Sequence, residues 1–156
     1  GHCAWRKGRS DGSNRIFSEE GAGIDGKSFS LLPVEIFYRE TGKTKKVTEY
    51  PCDGKLLKAA EQVKTKYHTG RGVIGSGDEW NNQLDRIALL RERYHTAVED
   101  MESAAAAQLC LSYGVPFLGV RILSNSIVNG EKFDEAVGID GQKFMLSLID
   151  QMREYM

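Results

Sequence analysis

The sequence predicts an α/β fold of three layers, α/β/α, around a mostly parallel but mixed central sheet. Three observations lead there. An alanine-rich segment from Met101 to Tyr113 stops at Gly114 and passes directly into Val115-Pro-Phe-Leu-Gly-Val-Arg-Ile-Leu123, a nearly continuous apolar run of the kind found in parallel strands covered on both faces. A second short apolar stretch, Arg71-Gly-Val-Ile-Gly-Ser76, follows a segment of helical periodicity. At 156 residues the chain is long enough for one core and too short for two ordinary domains, so residues 1–156 are expected to form one α/β domain.

Each element has its own signal. Residues 1–26 are polar and glycine-rich, including Arg6-Lys7-Gly8-Arg9-Ser10-Asp11-Gly12-Ser13, and read as a loop. Pro33 to Tyr38 alternates apolar with polar residues, Gly42-Lys43 breaks the run, and Lys46 to Tyr50 resumes it, which predicts a hairpin. Asp53 is placed to cap a helix over Lys55 to Tyr67, with Leu56, Leu57, Ala60 and Val63 on one face and Gly70 closing it. Arg71 to Ser76 then reads as a buried strand. Asp85, Arg86, Arg91, Glu92 and Arg93 form a mixed charge run suited to a solvated helix face. Met101 to Tyr113 predicts a closely packed helix. A last amphipathic helix over Gly141 to Tyr155 carries Phe144, Met145, Leu148, Ile149 and Met152 on one side, to be laid across the sheet.

Composition excludes several function classes. The formal net charge is -1 and the 21 basic residues are spread along the chain, so the footprint required by nucleic acid or an anionic membrane is missing. No apolar run approaches the roughly 20 residues that span a bilayer, and the N-terminus lacks a signal-peptide pattern, so a cytoplasmic protein is expected. Cys3, Cys52 and Cys110 are odd in number and have no C-x-x-C spacing, which argues against a disulfide framework and against zinc. His2, His68 and His95 lack the spacing of a metal site or of a nucleophile and its base, and Gly75-Ser-Gly-Asp78 is neither a dinucleotide fingerprint nor a P-loop. No metal and no organic cofactor are expected.

Three short segments fall where a parallel sheet builds its site, in loops after strand carboxyl ends: Gly75-Ser-Gly-Asp-Glu-Trp80, Val98-Glu-Asp-Met-Glu102 and Leu123-Ser-Asn-Ser126. Taken singly, each has a plain structural explanation. Glu102 favours a helix N-terminus through the macrodipole, Trp80 suits a core, Asn125 suits a turn, and Asp78 can brace its own loop. Ser103 has no neighbouring base in the sequence to activate it as a nucleophile.

Taken in order, Ser76-Gly77-Asp78-Glu79-Trp80, Met101-Glu102-Ser103-Ala104-Ala105, Val115-Pro116-Phe117 and Arg121-Ile122-Leu123-Ser124-Asn125 resemble the methylthioadenosine / S-adenosylhomocysteine nucleosidases and their purine nucleoside phosphorylase relatives. The resemblance spans roughly Lys55 to Met152. It implies cleavage of the N-glycosidic bond of purine nucleosides, with Glu102 accepting hydrogen bonds from the ribose 2′- and 3′-hydroxyls, since an ionised carboxylate offers two acceptor oxygens to a vicinal diol. The same charge would stabilise the oxocarbenium-like transition state. Met101 would pack on the sugar and Trp80 on the base, the backbone at Trp80 and Asn81 would read the purine edge, and Ser76 would belong to the substrate-binding loop.

The resemblance also implies two departures. Ser124 and Asn125 occupy the place of a serine–aspartate pair whose aspartate protonates N7 of the leaving base. Asn125 can donate a hydrogen bond there but not a proton, and general-acid catalysis is worth roughly 10²- to 10⁴-fold. An asparagine suits a 6-oxopurine, as in the phosphorylases, so the alternatives to a nucleosidase are a phosphorylase using phosphate as co-substrate and an inactive nucleoside-binding or storage protein. The second departure is that nothing before Lys55 matches the N-terminal third of the family, with its glycine-rich loop and the groups that activate water or bind phosphate. By the same resemblance the small-molecule partner is a nucleoside and the assembly a homo-oligomer.

Overall fold

A computed structural model describes residues 15–18, 31, 33–78, 80–132 and 134–153. The first described element is a strand, β1 (Arg15–Ser18), which pairs in parallel with β5 (Val73–Ser76) and antiparallel with β4 (Tyr50–Pro51). Strand β6 (Thr96–Asp100) pairs in parallel with β5, giving a mixed sheet in the order β4-β1-β5-β6. The expectation of a loop throughout residues 1–26 is corrected here. Four residues are too few to show a period, and what makes Arg15–Ser18 a strand is the pair of ladders on its two sides. The rest of that stretch, with His2 and Cys3, lies outside the described residues.

Strands β2 (Val34–Tyr38) and β3 (Lys43–Val47) form the predicted hairpin, turning through Gly42 at φ +64. The return arm starts earlier than Lys46, and Tyr50 goes instead to β4. The hairpin rests on α3 (Ser103–Tyr113), where the Arg39 amide donates to Ser112 O at 3.0 Å and the Ser112 hydroxyl donates to Phe37 O at 2.6 Å.

Helix α1 (Gly54–Gln62) begins as predicted, with the Asp53 carboxylate accepting from the amides of Lys55 at 2.8 Å and Leu56 at 3.0 Å. It ends at Gln62, well before Tyr67, so Gly70 does not close it. Helix α2 (Leu84–Tyr94) carries the mixed charge run and ends on His95 in the left-handed region at φ 58. Helix α3 starts two residues later than Met101 and stops at Gly114, φ 67, as expected. Helix α4 (Glu135–Met152) starts earlier than Gly141, where the Asp134 carboxylate accepts from the Ala136 amide at 2.9 Å.

The layers follow from alternation along β5, whose four residues are all buried. Ile74 packs in a cluster with Ile36, Tyr50, Ala104 and Ala107, on the α3 side, while Val73 packs with Leu90 of α2 on the other side. Short alanine side chains let α3 approach the sheet closely. The third cluster, Ala59, Val63 and Leu148 with Phe144 and Met152, joins α4 to α1, so α4 packs on a helix rather than across the sheet. Its buried face is also narrower than the sequence implied, since Met145 and Ile149 stay exposed.

The run Val115–Leu123 forms no strand. Phe117, Leu118 and Val120 pack against the cores, which accounts for the apolar character, but the segment's backbone bonds run from the Asp53 amide to Phe117 O at 2.7 Å and from the Val115 amide to Cys110 O at 2.8 Å, and no described strand takes up its edge. Val115, Ile122 and Leu123 remain exposed.

Candidate functional site

The three parallel strands end at one level, because Ser18 pairs with Ser76 and Ser76 with Asp100. The loops leaving β5 and β6 therefore open on one rim, joined at once by the Gly77 amide donating to Asp100 O at 2.9 Å. This is the carboxyl edge at which open α/β sheets place their ligands.

Asp100 is the hub of that rim. Its Oδ1 accepts from the backbone amides of Glu102 at 3.3 Å and Ser103 at 3.1 Å, and its Oδ2 accepts from the Ser103 hydroxyl and from Arg121 Nε, the latter at 2.5 Å. Arg121 also donates through Nη2 to Ser103 Oγ at 2.6 Å and through Nη1 to Val120 O at 2.8 Å. Burial by itself would raise the Asp100 carboxyl, whose side chain is only 7% exposed; the Ser103 hydroxyl and amide, the Ser76 hydroxyl and the Arg121 charge together hold it below the usual carboxylate range. It is an anion fixed in place.

The residues expected to bind substrate are distributed as follows. Ser76 is buried at the end of β5, where its Oγ accepts from the Ala104 amide at 3.1 Å and its hydroxyl also serves Asp100, so the side chain is committed to the framework. Met101 and Glu102 are exposed at the entrance to α3, and among the described residues the Glu102 carboxylate accepts from the Met101 amide, at 3.2 Å. Trp80 is 64% exposed, which removes the core reading. Asn81, next along the chain, donates from Nδ2 to Glu99 Oε2 at 2.8 Å and accepts from the Gln83 amide at 3.1 Å. Glu79 of the same loop lies outside the described residues.

Ser124 and Asn125 are half-buried, and the Ser124 hydroxyl donates to Asn125 Oδ1 at 3.1 Å. With Oδ1 occupied, the amide presents its Nδ2 hydrogens, for which no described residue provides an acceptor. Ser124 O in turn accepts from the Asp134 amide at 3.1 Å, which fixes the far side of the segment to the start of α4. No hydrogen bond among the described residues links Trp80 or Glu102 directly to the Ser124–Asn125 pair.

An open groove of about 530 Å³ lies elsewhere, between residues 120–122 and α4, bounded by Val120, Ile122, Gly141, Met145 and Leu146, with Arg121 its only link to the rim. Among the described residues no group of three or more His, Cys, Asp or Glu side chains is arranged to hold a metal ion. No helix among them is long and apolar enough to cross a membrane. Sequence reasoning passed over Asp100 and Arg121. A signal was present in the arginine set inside the apolar run 115–123, since a charge there needs a partner.

The fold and this rim are those of an open α/β protein whose loops gather at the carboxyl edge of a mixed sheet. A family model described as the phosphorylase superfamily matches residues 14–152, and the chain belongs to that superfamily. The match begins well upstream of Lys55, where the sequence motifs alone had set the start. The chain is 35% identical over 131 residues to the 5'-methylthioadenosine/S-adenosylhomocysteine nucleosidase of Bacillus pumilus (strain SAFR-032), covering 77% of this chain and 56% of the relative. It is 32% identical over 125 residues to the protein of the same name from Aeromonas salmonicida (strain A449), covering 76% and 54%. The chain thus spans about half the length of the curated relatives it matches. Among solved structures it is similar to native futalosine hydrolase of Helicobacter pylori strain 26695, with a TM-score of 0.64 at 20% identity over 88% of this chain and 57% of that one. Helicobacter pylori MTAN gives a TM-score of 0.57 at 19% identity over 88% and 58%. At these identities the likeness concerns the fold.

Proposed function

We propose that this chain carries the nucleoside-binding rim of an N-glycosidic nucleosidase acting on purine nucleosides such as methylthioadenosine or S-adenosylhomocysteine. The observation that carries the reading is the convergence on Asp100 of the two elements such a reaction needs: the α3 entrance bearing Glu102 and the segment bearing Ser124 and Asn125. The names of the curated relatives point to the same substrates.

In this reading the Glu102 carboxylate grips the ribose diol and faces the anomeric carbon as positive charge develops there. Met101 and Trp80, apolar and exposed, cover the sugar and the base when these are bound. Asn81, braced by Glu99, sets the loop that reads the purine edge, and Ser76 acts through Asp100 and α3 rather than by touching the nucleoside. Asn125 donates from Nδ2 to N7 of the leaving base, with Ser124 holding its orientation. The bond between C1′ and the base breaks with its electron pair going to the base, and water, or phosphate in a phosphorylase, adds at C1′. No cofactor takes part.

The second reading, a phosphorylase preferring 6-oxopurines, is favoured by the Ser124–Asn125 hydrogen bond, because a fixed amide donor at N7 suffices for a base that leaves as a stable anion. We also propose a cytoplasmic homo-oligomer, supported by exposed apolar side chains along α4, among them Ile139, Leu146 and Ile149. The deciding experiment is chromatographic: free base released from methylthioadenosine, S-adenosylhomocysteine, adenosine, inosine and guanosine, with and without phosphate. Adenine released without phosphate supports the nucleosidase. Release of hypoxanthine or guanine only with phosphate replaces it with the phosphorylase, and binding without release leaves a nucleoside-binding protein.

A further inference from the structure

We propose that Asp100, Ser103 and Arg121 form a positioning device that sets the base-side amide of Asn125 at a fixed distance from the sugar-side carboxylate of Glu102. The inference rests on the functional reading above and assigns it three residues that touch no substrate.

The two ends are held differently. Glu102 occupies the N-cap position of α3, yet its side chain makes no capping bond. Asp100 takes over that task two residues earlier, accepting from the Glu102 and Ser103 amides, so the backbone that carries Glu102 is fixed by Asp100. The Asn125 end is different in kind. Its segment belongs to no strand and has no ladder to set its height against the sheet. Its backbone is tied to Asp53 through Phe117 O and to Asp134 through Ser124 O, neither of which lies in the sheet, and the tie to the sheet's carboxyl rim upstream of Asn125 is the Arg121 side chain.

Arg121 is matched to that task. Its guanidinium spends Nε on Asp100, Nη2 on Ser103 Oγ and Nη1 on the carbonyl of the preceding residue, Val120. Three donors in one rigid plane lock the segment's own backbone to the anion at the end of β6, a geometry that an ammonium on a flexible stem cannot reproduce. A nucleoside bound across the rim contacts Glu102 at the ribose and Asn125 at the base. An error of one ångström in their separation is felt at both contacts.

The test uses the full chain and calorimetric titration with methylthioadenosine. Ser103→Ala and Arg121→Lys are each expected to lower affinity about tenfold, the worth of one charge-assisted hydrogen bond. In an Asn125→Ala background, where no amide is left to position, the same two changes are expected to cost nothing further. A general loss of structure predicts instead that the losses multiply, and multiplication overturns the proposal, as does unchanged affinity in both single variants. Ser103→Ala removes one hydroxyl and keeps the Arg121–Asp100 pair, so it reports even where Arg121→Lys folds poorly. If the parent chain binds no nucleoside, the functional reading fails and takes this inference with it. If the parent binds and Glu102→Gln weakens it while Ser103→Ala and Arg121→Lys do not, this inference alone fails.

Discussion

In the proposed reading two residues, Glu102 and Asn125, carry the chemistry of the rim, and each gives a direct prediction. Glu102 is exposed and makes no capping bond, so its carboxylate contributes little to the fold. Glu102→Gln is expected to weaken nucleoside binding about tenfold or more, since hydrogen bonds to a charged group are worth about 1.5–3 kcal/mol, and to leave the unfolding midpoint nearly unchanged. Titration and thermal unfolding on the same sample separate these effects, and equal affinity in the variant would remove Glu102 from the site. Asn125 gives the opposite sign. Asn125→Asp restores a proton donor beside Ser124 and is expected to speed adenine release about 10²- to 10⁴-fold, measured by chromatography below neutral pH. Unchanged release with intact binding would show that protonation of the base is not what limits this chain. Both residues are singled out by the sequence because each sits in a short motif of fixed order, and the experiments above test their roles. Asp100 is not, because beside its local partners Glu102 and Ser103 its setting depends on Ser76 and Arg121, which come from distant parts of the chain.

At the scale of elements, the local signals that proved reliable were those with a local cause. Asp53 caps α1 through its own side chain, and Asp53→Ala is expected to cost about 1 kcal/mol of stability in denaturant titration. Gly114 ends α3 in the left-handed region with Glu40 Oε1 lying where a Cβ would stand. Gly114→Ala is therefore expected to destabilise by about 1–2 kcal/mol, whereas replacing a glycine inside an exposed helix by alanine would stabilise. A stabilised Gly114→Ala variant would contradict the αL assignment. Elements that depend on distant partners were misread. β1 is a strand because β4 and β5 flank it, and Val115–Leu123, apolar enough for a buried strand, is irregular because no described strand pairs with it. Hydrophobicity reports burial, and burial is met equally by a ladder or by packed irregular chain.

For the whole molecule, the consequence to test is stability against acid. Asp100 is a nearly buried carboxylate held below its ordinary range, chiefly by Ser103, against the opposing effect of burial. A carboxyl lower in the folded than in the unfolded state stabilises fully above the unfolded value and loses that stabilisation as pH falls through the folded one. The urea midpoint is therefore expected to hold down to about pH 5 and to fall progressively below about pH 4, and Asp100→Asn to flatten that acid limb while lowering stability at neutral pH. Glu61, through Arg71, and Asp140, through Tyr67, are lowered as well; Glu61 faces solvent and adds little, and Asp140 is partly exposed among surface lysines. An unchanged acid limb in Asp100→Asn would place the linkage elsewhere. By itself the sequence determined the fold class, the helix caps at Asp53 and Gly114, the hairpin and the order of motifs that marks the superfamily, because caps, turns and periodicities are written in neighbouring residues. Only the tertiary structure decided that the rim is organised around a buried anion and that the segment carrying Asn125 hangs from an arginine instead of a ladder. Those depend on which distant groups share one low-dielectric site, and a linear pattern of residue types carries no record of that.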